Sequence, residues 1–205
     1  MVSLSASILG CLDKKIMIES INCSSVDYLH VDVQDGTISN GISKYTEDEL
    51  KSSKKRLDVH IMAEDVTDLI KQYVQYNPAY ITIHCEIERV KEAIELIKSY
   101  GIKVGLAIQV ETDIDEIINY LDDIDLVLIM GVELGSSGAC FNDVVLSKLE
   151  KIVSMKNNYH YVVSVDGGIN DSTVQLLPSG LDILVSGSYL TKDLNEGIKV
   201  LKAYE

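Results

Sequence analysis

Two apolar stretches of the chain carry ionisable side chains at alternate positions. Residues 28–34 read YLHVDVQ and residues 57–62 read LDVHIM. A β-strand turns successive side chains to opposite faces, so His30 and Asp32 are expected to project together, away from the apolar residues around them. His60 lies near the end of the second stretch. The pattern predicts polar side chains gathered at the ends of buried strands.

A fourth candidate, Asp166, closes a later apolar run that reads VVSVDGG. Two imidazoles and two carboxylates form a mixed nitrogen and oxygen set that suits zinc, iron(II), manganese or cobalt. Each residue alone has a simpler interpretation, because a histidine at a strand end is often only hydrogen-bonded and an aspartate there often caps the next helix. A metal site therefore requires a fold that brings the four side chains together.

A repeated pattern indicates the elements that could position these side chains. Short runs rich in β-branched and apolar residues alternate with amphipathic segments, of which 87–100 and 142–155 show apolar residues at helical spacing. The predicted strands are 3–8, 28–33, 57–62, 80–84, 103–108, 126–130, 161–165 and 183–186. Eight βα units predict an α/β fold of the (β/α)8 TIM-barrel class, in one domain over residues 1–205. An open doubly wound sheet is the alternative, although no GxGxxG motif follows the first strand.

A (β/α)8 barrel collects its chemistry at the carboxyl ends of its strands. His30 and Asp32 come at the end of the second predicted strand, and His60 lies near the end of the third. Asp166 follows the seventh predicted strand. The barrel would bring all four to one mouth, which favours a joint function over four separate structural roles.

Glycine and serine residues follow the last three predicted strands. They are Gly135, Ser136, Ser137 and Gly138 after the sixth strand, Gly167 and Gly168 after the seventh, and Gly187 and Ser188 after the eighth. Loops at these places in a barrel can present backbone N–H groups to a phosphate. Glycines that only permit tight turns are the simpler interpretation. Three such loops side by side favour an anion site.

Composition limits the classes of partner. The formal net charge is −14, with 32 acidic residues against 18 lysines and arginines, which would repel a nucleic acid or an anionic membrane. No run approaches the roughly 18 apolar residues of a membrane helix, and the N-terminal residues show no signal sequence. We expect a cytoplasmic protein that binds a small molecule, with any anionic group held by local dipoles or a metal.

Six segments carry a resemblance to a known family. The strings SASIL, HVDVQDG, LDVHIM, DLVLIM, VDGGIN and VSGS, in this order and spacing, resemble the motifs of the ribulose-phosphate 3-epimerase family over essentially the whole chain. The resemblance implies a metal-dependent enzyme that interconverts D-ribulose 5-phosphate and D-xylulose 5-phosphate in the pentose phosphate pathway. It also implies one divalent metal ion as the cofactor and a homo-oligomeric assembly.

The resemblance further implies a role for individual residues. The metal ligands would be His30, Asp32, His60 and Asp166. Asp32 and Asp166 would also serve as the paired acid and base, passing through an enediolate. The residues that match substrate contacts are Ser7, His60, Met62 and Met130.

Two loops depart from the family pattern. Residues 34–46 read QDGTISNGISKYT where the family usually has MDGHFVPN, and residues 133–139 read ELGSSGA where it usually has NPGFGGQ. These differences leave two alternatives open. One is a 3-epimerase of another ketose phosphate, such as allulose 6-phosphate, and the other is a non-catalytic sugar-phosphate-binding paralogue.

Overall fold

The computed structural model describes residues 1–134 and 139–204. Eight parallel strands form a closed barrel in which each strand pairs with the next along the chain and the last pairs with the first. The strands are β1 (Ser3–Ser7), β2 (Tyr28–Gln34), β3 (Arg56–Met62), β4 (Tyr80–His84), β5 (Lys103–Ile108), β6 (Leu126–Met130), β7 (Val162–Asp166) and β8 (Ile183–Ser186). The predicted (β/α)8 barrel is confirmed.

Helices and helical turns connect the strands on the outside. The α-helices are α1 (Lys14–Asn22), α2 (Glu47–Ser52), α3 (Thr67–Val74), α4 (Val90–Ser99), α5 (Leu146–Met155), α6 (Ser188–Lys192) and α7 (Leu194–Leu201). The crossings after β5 and β7 contain 3-10 helices instead, over Ile114–Tyr120 and Thr173–Gln175. Among the described residues, no helix is long and apolar enough to cross a membrane.

The strand residues divide between two apolar clusters. Along β6, Val127 and Ile129 belong to the large cluster that packs the strands against the helices, whereas Leu126, Leu128 and Met130 belong to a smaller one. This alternation follows from the pleat of a strand, which sends neighbouring side chains to opposite faces. The smaller cluster therefore fills the inside of the barrel, and polar side chains occupy the same interior at its carboxyl end.

Strand bounds match the predicted ones or differ from them by one residue at one end, except that β7 is shifted by one residue at both ends. β2 extends through Gln34, and β7 runs to Asp166 instead of ending before it. Asp166 is thus held by strand pairing, with Met130 as its register partner on β6. The single domain and the homo-oligomer stay predictions.

Candidate metal centre and active site

The register between β2 and β3 interleaves two histidines with two aspartates. His30 is the partner of Asp58, and Asp32 is the partner of His60. Register partners on parallel strands present their side chains on the same face of the sheet. The segments HVD and DVH therefore place an imidazole beside a carboxylate twice in succession, inside the barrel.

The four predicted ligand residues converge in this interior. One nitrogen or oxygen atom from each of His30, Asp32, His60 and Asp166 lies within 4.8 Å of the others. Asp32 Oδ1 lies 3.3 Å from His30 Nε2 and 3.5 Å from His60 Nδ1. Asp166 Oδ2 lies 3.6 Å and 3.7 Å from the same two nitrogens. The structure thus brings together residues from three strands that are far apart in the sequence.

This geometry fits a divalent metal ion. A tetrahedral centre with ligand bonds near 2.1 Å has ligand–ligand edges of about 3.4 Å, close to the distances observed here. His30 Nε2 and His60 Nδ1 are buried and have no hydrogen-bond partner among the described residues. Buried nitrogens are normally satisfied, and a metal ion between the histidines and the carboxylates would satisfy both.

Asp58 supports His30 from the opposite side of the ring, a role that the sequence analysis missed. Its Oδ2 lies 2.9 Å from His30 Nδ1 and accepts a hydrogen bond from the Ser5 hydroxyl at 2.7 Å. An ionised carboxylate only accepts, so His30 Nδ1 carries a proton and Nε2 faces the centre. The available signal was the position of Asp58 two residues before His60, on the same face of β3.

His84 and Glu86 stand behind His60. Nε2 of His60 lies 2.8 Å from Nε2 of His84, whose Nδ1 lies 3.2 Å from Glu86 Oε2. Burial lowers the pKa of His84 to about 4. Burial alone would raise the pKa of Glu86, but hydrogen bonds from His84, Thr112 and the Gln109 amide lower it to about 2. At neutral pH His84 is therefore uncharged and Glu86 is ionised.

The two candidate acid–base carboxyls have opposite pKa shifts. Burial raises the pKa of Asp166 to about 7, and the neighbouring charge of Asp32 adds to the shift. Burial would also raise the pKa of Asp32, but His30 and His60 outweigh it and bring the net pKa below its ordinary value. In the metal-free protein Asp32 is ionised near neutral pH, while Asp166 is substantially protonated.

The pKa values of His30 and His60 are also shifted in opposite directions. Burial lowers the pKa of His60. Burial acts in the same direction on His30, but the carboxylates of Asp32 and Asp58 raise its pKa well above the ordinary value. A metal ion binding at His30 would displace the proton from Nε2.

A cavity of about 140 Å³ opens above this cluster at the carboxyl ends of the strands. Its lining includes many of the residues predicted from the sequence as ligands, acid–base groups, substrate contacts or phosphate contacts. They are Ser7, Asp32, Met62, Met130, Asp166, Gly167, Gly168, Gly187 and Ser188. Ser7 Oγ donates a hydrogen bond to Asp32 Oδ2 at 2.6 Å, so this serine also orients the carboxylate.

The loops predicted to hold phosphate are described in part. Gly167, Gly168, Gly187 and Ser188 lie together in the cavity wall. Gly135, Ser136, Ser137 and Gly138 lie outside the described residues. Glu133, which precedes them, is exposed and lines the same cavity.

Gln34 adds an amide group to the cavity, where the family pattern has a methionine. Its side chain is buried, and its Nε2 donates to the Met62 sulfur at 3.6 Å. A thioether is a weak acceptor. A Cβ atom on Gly41 would lie 2.2 Å from Gln34 Oε1, so the glycine makes room for this amide.

Comparison with known proteins gives a consistent result. Residues 3–191 match the ribulose-phosphate 3 epimerase family. The chain is 36% identical over 194 residues to a ribulose-phosphate 3-epimerase of Helicobacter pylori strain J99, covering 90% of this chain and 88% of that protein. It is 34% identical over 220 residues to a ribulose-phosphate 3-epimerase of Methanocaldococcus jannaschii, covering 98% and 90%. A solved sugar-phosphate complex of KGPDC from Streptococcus mutans shares the fold, with a TM-score of 0.73 at 15% identity over 99% of this chain and 96% of that one.

Proposed function

Because the chain belongs to the ribulose-phosphate 3-epimerase family, a family of isomerases, we propose that it inverts carbon 3 of a ketose phosphate. The proposed reaction interconverts D-ribulose 5-phosphate and D-xylulose 5-phosphate. The observation that carries the proposal is the convergence of two carboxyls, Asp32 and Asp166, on two buried histidine nitrogens that have no hydrogen-bond partner among the described residues. In the metal-free protein the pKa of Asp32 is lowered and that of Asp166 is raised, which supports a division of the two carboxyls into base and acid.

The two carboxyls would exchange protons with opposite faces of carbon 3. Ionised Asp32 can accept the proton from carbon 3, which leaves the bonding electrons in an enediolate spread over carbons 2 and 3. Protonated Asp166 can then deliver its proton to the other face, giving the epimer. The reverse direction uses the same groups with exchanged roles. Ser7 holds Asp32 in place through its hydrogen bond to Oδ2.

The proposed cofactor is one divalent metal ion, zinc, iron(II), manganese or cobalt. His30, Asp32, His60 and Asp166 would hold it, since their atoms offer two nitrogens and two oxygens. When bound, such an ion supplies Lewis-acid stabilisation of the negative charge that develops on the substrate oxygens. His30 presents Nε2 and His60 presents Nδ1 to the two carboxylates.

The substrate phosphate would bind at the glycine-rich wall of the cavity, formed by Gly167, Gly168, Gly187 and Ser188. Backbone N–H groups in these loops after β7 and β8 favour an anion. The methionines Met62 and Met130 line the same cavity and would supply apolar surface beside the reacting carbons. The relatives named ribulose-phosphate 3-epimerases support a sugar phosphate as the ligand class.

A second ketose phosphate is the alternative substrate. Among the described residues, the Gln34 amide has only a sulfur partner, and it can hydrogen-bond a hydroxyl that a methionine would not. This observation favours testing a longer sugar, such as allulose 6-phosphate. The non-catalytic alternative is less well supported, because a binding protein has no need for two carboxyls and two imidazoles gathered in one buried site.

The test is NMR of the purified protein with ribulose 5-phosphate in deuterium oxide, with and without a chelator. We expect deuterium at carbon 3 and the appearance of xylulose 5-phosphate, both lost with the chelator and restored by added metal. Allulose 6-phosphate is run in parallel. Deuterium exchange with allulose 6-phosphate alone would make the hexulose phosphate the substrate. No deuterium exchange with either sugar would favour the non-catalytic binding protein.

A further inference from the structure

We propose that Glu86 and His84 together fix the ring tautomer of His60 that leaves its Nδ1 free for the metal. The inference rests on the proposed metal site. His84 and Glu86 lie behind His60. Neither is among the described residues that line the cavity or among the four proposed ligands, so both are positioning residues. The observation behind the proposal is a continuous chain of short contacts from Glu86 to His60.

The chain of contacts starts at a fixed carboxylate. Glu86 Oε1 accepts hydrogen bonds from the Gln109 amide at 2.9 Å and from the Thr112 hydroxyl at 2.5 Å. Its other oxygen, Oε2, lies 3.2 Å from His84 Nδ1. An ionised carboxylate has no proton to donate, so the proton in this contact belongs to His84 Nδ1.

That proton determines the other nitrogen of His84. A neutral imidazole with a proton on Nδ1 offers a lone pair at Nε2. His84 Nε2 lies 2.8 Å from His60 Nε2, and two lone pairs at that distance would repel. His60 must therefore carry its proton on Nε2 and donate it to His84.

His60 Nδ1 is then left with the lone pair. This atom lies 3.5 Å from Asp32 Oδ1 and 3.7 Å from Asp166 Oδ2, and it has no hydrogen-bond partner among the described residues. The other tautomer would place a proton on Nδ1 and block metal binding. The relay from Glu86 therefore gives His60 a metal-binding nitrogen before any metal arrives.

The two histidines are supported by different routes. His30 faces the centre with Nε2 and receives direct support from Asp58 at Nδ1. His60 faces the centre with Nδ1, so its Nε2 points to β4, where a histidine stands instead of a carboxylate. An intervening imidazole transmits the preference of Glu86 without placing another negative charge against His60.

The sharpest variant is Glu86→Gln, which keeps the size of the side chain. The Gln109 amide and the Thr112 hydroxyl would hold the new carbonyl oxygen, which turns the new NH2 group toward His84. His84 would then accept at Nδ1 and donate from Nε2, and His60 would carry its proton on Nδ1. We expect metal affinity to fall by about 10- to 100-fold.

Two measurements test whether Glu86→Gln moves the proton of His60 from Nε2 to Nδ1. Competition with a chromophoric chelator gives the affinity for zinc and cobalt(II). Nitrogen-15 NMR of histidine-labelled, metal-free protein reports which nitrogen of His60 is protonated, independently of metal binding and of activity. Glu88→Gln is the matched control, because it removes the same charge from an exposed neighbouring position.

His84 provides a second pair of variants. The glutamine of His84→Gln can accept a hydrogen bond from His60 through its carbonyl and donate one to Glu86 through its NH2 group, so we expect metal affinity within about threefold of the wild type. His84→Phe offers no acceptor, and we expect its metal affinity to fall by about 10- to 100-fold. Wild-type tautomer and affinity in Glu86→Gln, or equal affinities for the two His84 variants, would overturn the inference. Wild-type protein that shows the expected tautomer but binds no metal would instead overturn the proposed function.

Discussion

Asp32 and Asp166 differ in what surrounds each carboxyl. Asp32 is contacted by Ser7 and both histidines, all of which can stabilise its charge. Asp166 shares the histidines with Asp32, so the second negative charge in the same buried space is the costly one. In the proposed mechanism, this difference would make one of two residues of the same type the base and the other the acid.

The first prediction at the residue scale concerns turnover. Asp166→Asn removes both a proposed ligand and the proposed acid, so we expect the epimerisation rate to fall by at least about 10²- to 10⁴-fold. Circular dichroism should remain that of the wild-type barrel, because the asparagine keeps the size of the side chain. Near wild-type turnover in this variant would contradict the two-carboxyl mechanism.

The second prediction concerns the stability of the metal-free protein. The pKa of Asp166 is raised to about 7 in the folded state, above its ordinary value of 3.8. The folded state therefore holds this proton more tightly than the unfolded state, and stability is lost as pH rises toward 7. The slope can reach about 1.4 kcal/mol per pH unit.

Denaturant unfolding in the presence of a chelator measures this effect. Between about pH 5 and pH 7, we expect the free energy of unfolding of the wild type to fall relative to that of Asp166→Asn. Above about pH 8 the difference should level off, since Asp166 is then largely ionised in both states. Parallel pH profiles for the two proteins would show that Asp166 does not titrate in this range.

The sequence predicted the four residues that meet at the centre and offered His84 as a structural or supporting residue, but it did not point to Asp58 or Glu86. His30, Asp32, His60 and Asp166 could be found because strand alternation and the barrel rule both place them at one mouth. Glu86 lies in the loop after β4, and its contact with His84 depends on how that loop folds against Gln109 and Thr112. No local periodicity encodes such a contact.

At the scale of elements, the loop after β7 depends on close packing against the segment after β6. Gly168 has φ +69°, and a Cβ atom there would lie 2.6 Å from the backbone nitrogen of Phe141. Gly167 has φ +108° and is similarly crowded by Val132. These glycines are thus required by the backbone itself, in addition to any role at a phosphate.

A third prediction separates conformation from crowding. Gly101 has φ +71°, nearly that of Gly168, but no atom of the described part of the chain lies within 4 Å of the position that a Cβ would take. Gly101→Ala should cost only the conformational strain, about 1 kcal/mol. Gly168→Ala should cost clearly more, because the Phe141 backbone must also move. Equal changes in the free energy of unfolding would contradict the close packing.

The strands could be predicted more accurately than the connections between them. Each strand is a short apolar run, and β4, β5, β6 and β8 have the predicted bounds, while β2 and β3 each gain one end residue. The crossings after β5 and β7 form 3-10 helices, which share much of the spacing of α-helices. Whether such a segment folds as an α-helix or a 3-10 helix depends on how it packs against the barrel.

At the scale of the whole molecule, the net charge of the protein should repel the proposed substrate. The chain has a formal net charge of −14, and a sugar phosphate is also an anion. Long-range repulsion should slow encounter at low ionic strength. Raising the salt concentration from ~10 mM to ~150 mM shortens the screening length from ~30 Å to ~8 Å. We therefore expect kcat/KM to rise, by a few-fold, over this range.

Steady-state kinetics in sodium chloride at constant pH and metal concentration would check this prediction. Enzymes that attract anionic substrates through basic surfaces lose activity with salt, so the sign of the change is informative. A fall in kcat/KM over the same range would indicate that local positive potential at the cavity mouth dominates over the net charge.

The pairing of β1 with β8 also determines when the metal could enter during biosynthesis. Leu4 lies beside Leu184, so the barrel closes only after most of the chain has left the ribosome. The proposed ligands come from β2, β3 and β7, on both sides of that seam. An ion that requires all four would bind only the finished barrel, and by binding it would hold the seam closed. Metal acquisition would then be the last step of maturation. In metal-starved cells, newly made chains would remain metal-free, and the pairing between β1 and β8 would separate more readily in them.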